Sequence, residues 1–422
     1  DDPVLDGLIA SALAENKDLL IATARIEEFA ARFGMVRADL FPQVGAGAEY
    51  NRQRVTELGD NRLSPSYKST TDTFSATLNA GWEIDLWGRI RRSTEAAKAQ
   101  FIASEEGRKA VILSLVSQVA GAYVNLRALD RQLEINRDTA KSRRDSYLIF
   151  QERYNGGLIS DLELNQNRSQ YEEALASIPN LEKAVTQQEN GLSVLLGRNP
   201  GPIARGRTID QLVAPAIVAG MPSDLLERRP DIRQAEQTMI AANAQIGVAR
   251  AAYFPAISLT GALGSASGDL GDLFRGPAKI WQFNAPVSVP IFTAGKIAAN
   301  VKAAEAIQRQ ALLTYRQVIQ NAFREVDDAL TDHRQTKRQL AAQKSQVDSL
   351  RQYLDIAQLR YENGYSDYLS VLDAERSLFN ARLAYTQTQG ALHQSLINLY
   401  KAMGGGWVHR AEQMTLRQAA HR

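Results

Sequence analysis

The sequence predicts an α+β membrane protein made of a duplicated unit, each copy carrying two β-strands, a very long coiled-coil-like helix and a shorter return helix. Three observations predict it. The chain repeats itself at a nearly constant spacing. Four segments alternate apolar and polar residues with period two. Two further segments run for more than sixty residues without proline, on a heptad-like apolar stripe.

The duplication is clearest where Ala31–Pro42 aligns with Ala244–Pro255, six of twelve positions being identical at an offset of 213. Gly88-Arg89-Ile90 then matches Gly295-Lys296-Ile297, and Arg153-Tyr154…Gly157 matches Arg360-Tyr361…Gly364, both at an offset of 207. The first copy therefore holds six extra residues between these matches, most simply in the loop joining its two strands.

The elements follow in order. Val4–Leu40 reads as helix broken near Asn16-Lys17. Strands are expected at about 43–53 and 73–87. In the first, Val44, Ala46, Ala48 and Tyr50 share a face; in the second, Phe74, Ala76, Leu78, Ala80, Trp82, Ile84 and Leu86 do. The second copy repeats the pattern at about 256–265 and 281–292, although Pro286 and Pro290 each remove a ladder donor from the last strand. These lengths suffice to cross a bilayer, which needs about 9–11 tilted residues. Tyr50, Trp82, Trp87 and Trp281 lie near strand ends, where a membrane interface favours aromatics.

Long helices are expected at about 89–155 and 296–362, each about 100 Å at 1.5 Å per residue. The first carries the stripe Ile112, Val116, Val119, Tyr123, Leu126, Leu133; the offset of 207 places Ile319, Phe323, Val326, Leu330, His333 and Leu340 in the second. A period near 3.5 means supercoiled packing against other helices. Asn155-Gly156-Gly157 and Asn363-Gly364 end these helices, because glycine takes the left-handed conformation that stops one. Return helices follow at about 161–196 and 367–403. The organisation is then a first repeat over 1–197, an irregular connector over 198–222, a second repeat over 223–407 and a C-terminal tail over 408–422. Pro230 suits the first turn of the helix that opens the second copy's regular structure.

Composition narrows the function classes. With 49 Lys+Arg against 47 Asp+Glu and no basic tract interleaved with aromatics, nucleic acid is not expected as a partner. Zero cysteines exclude disulfides and thiol chemistry. No uninterrupted apolar run nears 18 residues, so a transmembrane helix is not expected, whereas a barrel is. The sequence opens at Asp1-Asp2-Pro3, as a mature or trimmed chain would. His333, His393, His409 and His421 complete no HExxH motif, and no phosphate-binding glycine loop exists, so no catalytic residue, metal site or cofactor is expected. His333 falls on the core stripe and reads as a packed residue.

Four transmembrane strands cannot close a barrel, and open edges in lipid leave backbone groups unpaired at several kcal/mol each. Copies of the chain must then combine, as a dimer of eight strands or a trimer of twelve. The helices, far longer than a bilayer is thick, would project into an aqueous space.

Phe41-Pro42 and Phe254-Pro255, Glu83-Ile-Asp-Leu-Trp-Gly-Arg89, Leu225-Leu-Glu-Arg-Arg-Pro-Asp-Ile-Arg-Gln-Ala-Glu236 and Pro290-Ile-Phe-Thr-Ala-Gly-Lys296 resemble the TolC-type outer-membrane efflux proteins, most of all the OprM/NodT-like branch. The resemblance covers essentially the whole chain. It implies a homotrimer with a twelve-stranded transmembrane barrel in the bacterial outer membrane, continued by a periplasmic α-helical tunnel. It also implies partners: a periplasmic adaptor (membrane fusion) protein and an inner-membrane pump of the RND type, for multidrug or metal export. Many members of this branch are lipoproteins with a lipidated N-terminal cysteine, which this chain lacks.

By resemblance, the periplasmic end closes where long and return helices meet. Leu369 would supply an apolar constriction, with Arg360, Tyr361, Asp373 and Arg376 as gate ties and Glu163 in the place of a family acidic residue. Asp373 and Arg376 stand at i,i+3 and can pair on one helix face. The turns at Gly156, Gly157 and Gly364 are expected to dock the adaptor. A periplasmic adaptor or coiled-coil scaffold is the alternative reading, but it has no need of lipid-facing strands.

Overall fold

The computed structural model describes residues 2–56, 69–213, 227–406 and Ala411. The chain divides into two compact units, and each draws on both halves of the sequence. One comprises Asp1–Ala24, Glu106–Arg233 and Gln317–Arg422; the other Arg25–Glu105 and Gln234–Arg316.

The repeat is visible element by element. Helix α1 (Pro3–Glu15) is followed by α2 (Lys17–Ala38), strands β1 (Gln43–Arg54) and β2 (Thr70–Glu83), and helices α3 (Arg89–Asn155) and α4 (Asp161–Leu195). Then come α5 (Pro230–Ala251), strands β3 (Ala256–Ser267), β4 (Lys279–Asn284) and β5 (Val287–Ser288), and helices α6 (Lys296–Glu362) and α7 (Tyr368–Ala402). Helices α3 and α6 are both 67 residues long and α4 and α7 both 35, at the offset of 207. Helices α2 and α5 both have 22 residues at the offset of 213.

Asn16 makes the first break. Its N–H donates to Ala12 O (2.9 Å), its Oδ1 accepts from Leu19 N–H (3.0 Å), and its Nδ2 donates to Leu195 O (2.9 Å). One side chain thus starts α2 and ties it to the end of α4.

In the second unit β1, β2, β3 and β4 form one antiparallel sheet in that order, with β5 also pairing with β3. The two repeats meet at β2–β3. Its register (Leu78↔Leu263, Trp82↔Leu259) and that of the flanking pairs (Ala46↔Leu78, Tyr50↔Phe74, Leu263↔Trp281) place the alternating apolar residues in continuous rows. The Tyr50 and Phe74 rings stack 4.7 Å apart. This apolar face is left bare: Val44 is 72% exposed, Leu263 63% and Trp281 79%.

Two strands differ from expectation. β2 ends at Glu83 instead of continuing to Trp87, because the next residues build the entry to α3. Asp85 accepts from the N–H groups of Ile90 (3.0 Å) and Arg91 (2.8 Å), Glu83 holds Arg89 through two bonds of 2.8 and 2.7 Å, and Trp87 donates to Pro255 O (2.8 Å). Burial pushes the Asp85 carboxyl up, but those N–H groups and Arg91 outweigh it and hold it below its usual range. The expected strand 281–292 is split into β4 and β5, since Pro286 has no N–H for the ladder; its carbonyl instead accepts from Ser258 N–H.

In the first unit a core joins Leu8, Ala12 and Leu13 of α1, Leu19 of α2, Ile112, Val116, Val119, Tyr123 and Leu126 of α3, and Leu192 of α4. The α3 stripe is therefore the buried one. Within it lies one 18-residue window apolar enough to cross a membrane, contrary to expectation; polar residues such as Ser114 and Gln118 interrupt it, and more than half of it is buried inside the chain, as in a core helix.

The stripe expected on α6 is corrected. Phe323 and Leu330 are 42% and 45% exposed, while Ala322, Ala329 and Thr336, seven residues apart, are buried. Ala329 packs with Leu399 and Ala402 of α7, and small residues let two helices approach closely. His333 is half-buried, with Nδ1 3.1 Å from Ser395 Oγ.

Of the connector, residues up to 213 are described and hold a single 3₁₀ turn at Ile209–Gln211; the remainder, the inter-strand stretch 57–68 where the insertion was placed, and the tail apart from Ala411 lie outside the described residues.

Candidate functional site

Both long helices end in the same hydrogen-bonded turn. After α3, Gly157 N–H donates to Tyr154 O (2.9 Å) and Leu158 N–H to Arg153 O (2.9 Å), with Gly157 at φ +71°. After α6, Gly364 N–H donates to Tyr361 O (2.9 Å) and Tyr365 N–H to Arg360 O (2.8 Å), with Gly364 at φ +76°. A side chain at either glycine would be strained in this left-handed region. Gly156 lies one position earlier and donates to Glu152 O at 3.0 Å.

The return helices start on side-chain caps. Ser160 and Glu163 form a capping box, in which Glu163 Oε2 accepts from Ser160 N–H (2.9 Å) and Ser160 Oγ (3.0 Å). This placement commits the Glu163 carboxylate to starting α4. Asp367 Oδ1 accepts from Ser370 N–H (3.3 Å) and caps α7.

An aromatic cluster joins the two hairpin ends. Phe150 of α3 lies 4.3 Å from the ring of Tyr368, and Tyr361 lies 5.0 Å from it. Tyr368 is buried and donates to Asn167 Oδ1 at 3.1 Å. Burial, then Glu375 and Tyr361, push its hydroxyl well above the usual tyrosine range, so it stays a neutral donor. Arg153 donates to Tyr361 Oη at 3.3 Å and lies 5.8 Å over the Phe150 ring. The first repeat's arginine thus meets the second repeat's tyrosine.

The structure brings Tyr361 into this cluster and leaves the other expected gate residues on its outer face. Arg376 donates to Asp373 at 2.8 Å, both side chains being about half exposed. Arg360 is exposed, with no side-chain partner among the described residues, and Leu369 is 57% exposed. Leu158 and Tyr365, matched across the repeats, are each 77% exposed; Leu162, matched to Leu369, is 67% exposed. Sequence reasoning missed Phe150, Asn167 and Tyr368, since only the second copy has an aromatic there and Asp161 is its counterpart. The cue available was Tyr361 and Tyr368 flanking a glycine turn. No group of metal-ligating side chains occurs among the described residues.

A bare apolar sheet with open edges, joined in one chain to paired 67- and 35-residue helices, is the subunit of a membrane channel of the TolC type. The family model for outer membrane efflux proteins matches residues 8–198 and 221–405, and the chain belongs to that family. The toluene efflux pump outer membrane protein TtgC of Pseudomonas putida is 37% identical over 414 residues, 98% of this chain and 85% of that protein. The cation efflux system protein CusC of Escherichia coli is 37% identical over 404 residues, 94% of this chain and 86% of that protein. Among solved structures, the Campylobacter jejuni CmeC outer membrane channel superposes with a TM-score of 0.92 at 27% identity, covering 98% of this chain and 90% of that one. The chain is an outer-membrane efflux channel and not an enzyme.

Proposed function

We propose that three copies close their sheets into one twelve-stranded barrel, and that the helical hairpins form the periplasmic duct of a tripartite pump. The observation that carries this is the β1-β2-β3-β4 sheet: its apolar face is uncovered and, among the described residues, its β1 and β4 edges are unpaired. In lipid each unpaired backbone group would cost several kcal/mol, so neighbouring copies must supply the partners. The exposed Phe323 and Leu330 on α6 support the same reading, for they need cover from outside the chain. Light scattering of the detergent-solubilised protein tests the stoichiometry; an eight-stranded dimer or a stable monomer would overturn it.

The hairpin ends are the second part of the proposal. Leu369 forms the constriction, and Arg360, Tyr361, Asp373 and Arg376 restrain it, while Glu163 acts through the cap of α4. A periplasmic adaptor docks on the turns at Gly156, Gly157 and Gly364, with an RND-type inner-membrane pump behind it. Cargo falls in the classes for which relatives are named, toluene and other solvents, antibiotics and cations, with selectivity residing in the pump. Single cysteines at Leu158 and Tyr365 should crosslink to a competent adaptor; absence of crosslinks from both sites and their neighbours would remove the docking assignment.

A further inference from the structure

In the helical unit, α3, α6 and α7 line an open-sided cavity of about 550 Å³ that the channel reading does not use. Arg131, Arg351 and Arg382 line it, one from each helix, together with Asp138, Glu375 and Gln389. Arg131 already pairs with Glu134 (2.7 Å) and Asp210 (3.3 Å). The side chains of Arg351 and Arg382 have no hydrogen bond or ion pair among the described residues. Like-charged guanidinium groups brought together repel one another, and an anion between them relieves that repulsion. The Arg382 charge is disfavoured first by burial, then by Arg351 and by Arg131, and Asp138 offsets this only in part.

Two more groups define what would fit. Gln389 donates through Nε2 to Asp210 (3.0 Å), but its Oε1 is buried without a partner and calls for a donor. Glu375 also lines the wall, and burial raises its carboxyl toward the neutral form, with Arg143 acting against this.

We propose that this cavity is a binding site for a small phosphate-type anion, held by Arg351 and Arg382, with its P–OH donating to Gln389. Hydrogen phosphate has both the charge and the donor; a phosphomonoester, whose second pKa is about 6, has the charge but keeps a P–OH only in its singly protonated form. Sulfate, fully ionised at neutral pH, has the charge alone.

Calorimetric titration of the detergent-solubilised full chain tests this, using inorganic phosphate, glycerol 3-phosphate and sulfate at matched ionic strength. Saturable phosphate binding is expected, tighter than for sulfate, and the two phosphate compounds distinguish a free anion from an esterified one. Arg382→Gln and Arg351→Gln should each weaken binding about ten-fold or more, the cost of a lost charge-assisted bond. Arg338→Gln, on α6 but outside the cavity, should change nothing. If Arg382→Gln fails to fold, Arg351→Gln alone decides, since Arg351 is an exposed side chain. No saturable phosphate binding, unchanged affinity in the arginine variants, or sulfate binding as tightly as phosphate would overturn the assignment.

Discussion

Leu158→Ser should weaken adaptor binding without harming the channel itself. Leu158 follows the Gly157 turn and is 77% exposed, so the chain gains little from it. Full burial of a leucine side chain contributes about 1.5–3 kcal/mol. Covering the exposed part on docking would then contribute about 1–2 kcal/mol per chain, and its removal should weaken binding roughly 5- to 30-fold. A surface substitution of this kind changes folding stability by no more than about 0.5 kcal/mol. Tyr365→Ser, at the matched position and equally exposed, should act in the same direction. The assay is the dissociation constant for immobilised adaptor, with the oligomeric state of each variant checked in parallel. If both variants keep their stoichiometry and bind within two-fold of the parent, the turns are helix stops only, and the docking argument is wrong.

Three further outcomes follow from the geometry. Gly197→Ala should destabilise by more than about 2 kcal/mol, because φ is +75° and a Cβ would lie 2.1 Å from Glu15 O; Gly157→Ala, equally left-handed but in open space, should cost only about 1–2 kcal/mol, as thermal unfolding of the pair would reveal. Asp85→Ala should cost about 1–2 kcal/mol by uncapping α3. The Asp85 pKa is lowered on folding, so its stabilisation is complete above the unfolded value of about 4 and is lost as pH falls through the folded value; the variant's unfolding midpoint should accordingly be less acid-sensitive. Arg376→Ala should raise open probability in planar bilayers by no more than about 13-fold, since an exposed i,i+3 pair contributes about 0.3–0.5 kcal/mol and the three copies of the proposed trimer together only about 0.9–1.5. A larger rise would mean that Arg376 pairs across copies.

The elements were legible because each is written in a local signal. Period-two alternation placed the sheet, and the register Leu78↔Leu263 shows why: one slip would turn every apolar side chain to the other face. The glycines at 157 and 364 placed the helix ends, where their positive φ leaves few other residues suitable. What local signals could not show was which neighbour covers which stripe. Val116 and Phe323 are matched at the offset of 207, but Val116 is covered by helices of its own chain, whereas α6 turns Ala322 and Ala329 inward and leaves Phe323 half bare. The pairing of Arg153 with Tyr361 was likewise illegible, because it crosses from one repeat to the other over 208 positions. Pro286 warned of the interrupted last strand, and the break falls there because a missing N–H is a local fact.

The two repeats are equal in length and unequal in surroundings, and the inequality does mechanical work. Identical helix lengths keep the two hairpin ends level in sequence, so that Leu158 and Tyr365 fall at equivalent turns. A fully equivalent pair would bury both apolar stripes or neither. Here α3 has its large side chains covered by α1 and α4, which fixes one hairpin within the chain. Helix α6 spends its small residues on the contact with α7 and keeps its large ones outward. On the proposed assembly, neighbouring copies cover those residues and pair with the edges of β1 and β4. A chain arranged in this way is complete as a fold but incomplete as a surface, in the sheet and along α6 alike. On the proposed assembly, association and channel formation are one event, since no single copy closes the barrel.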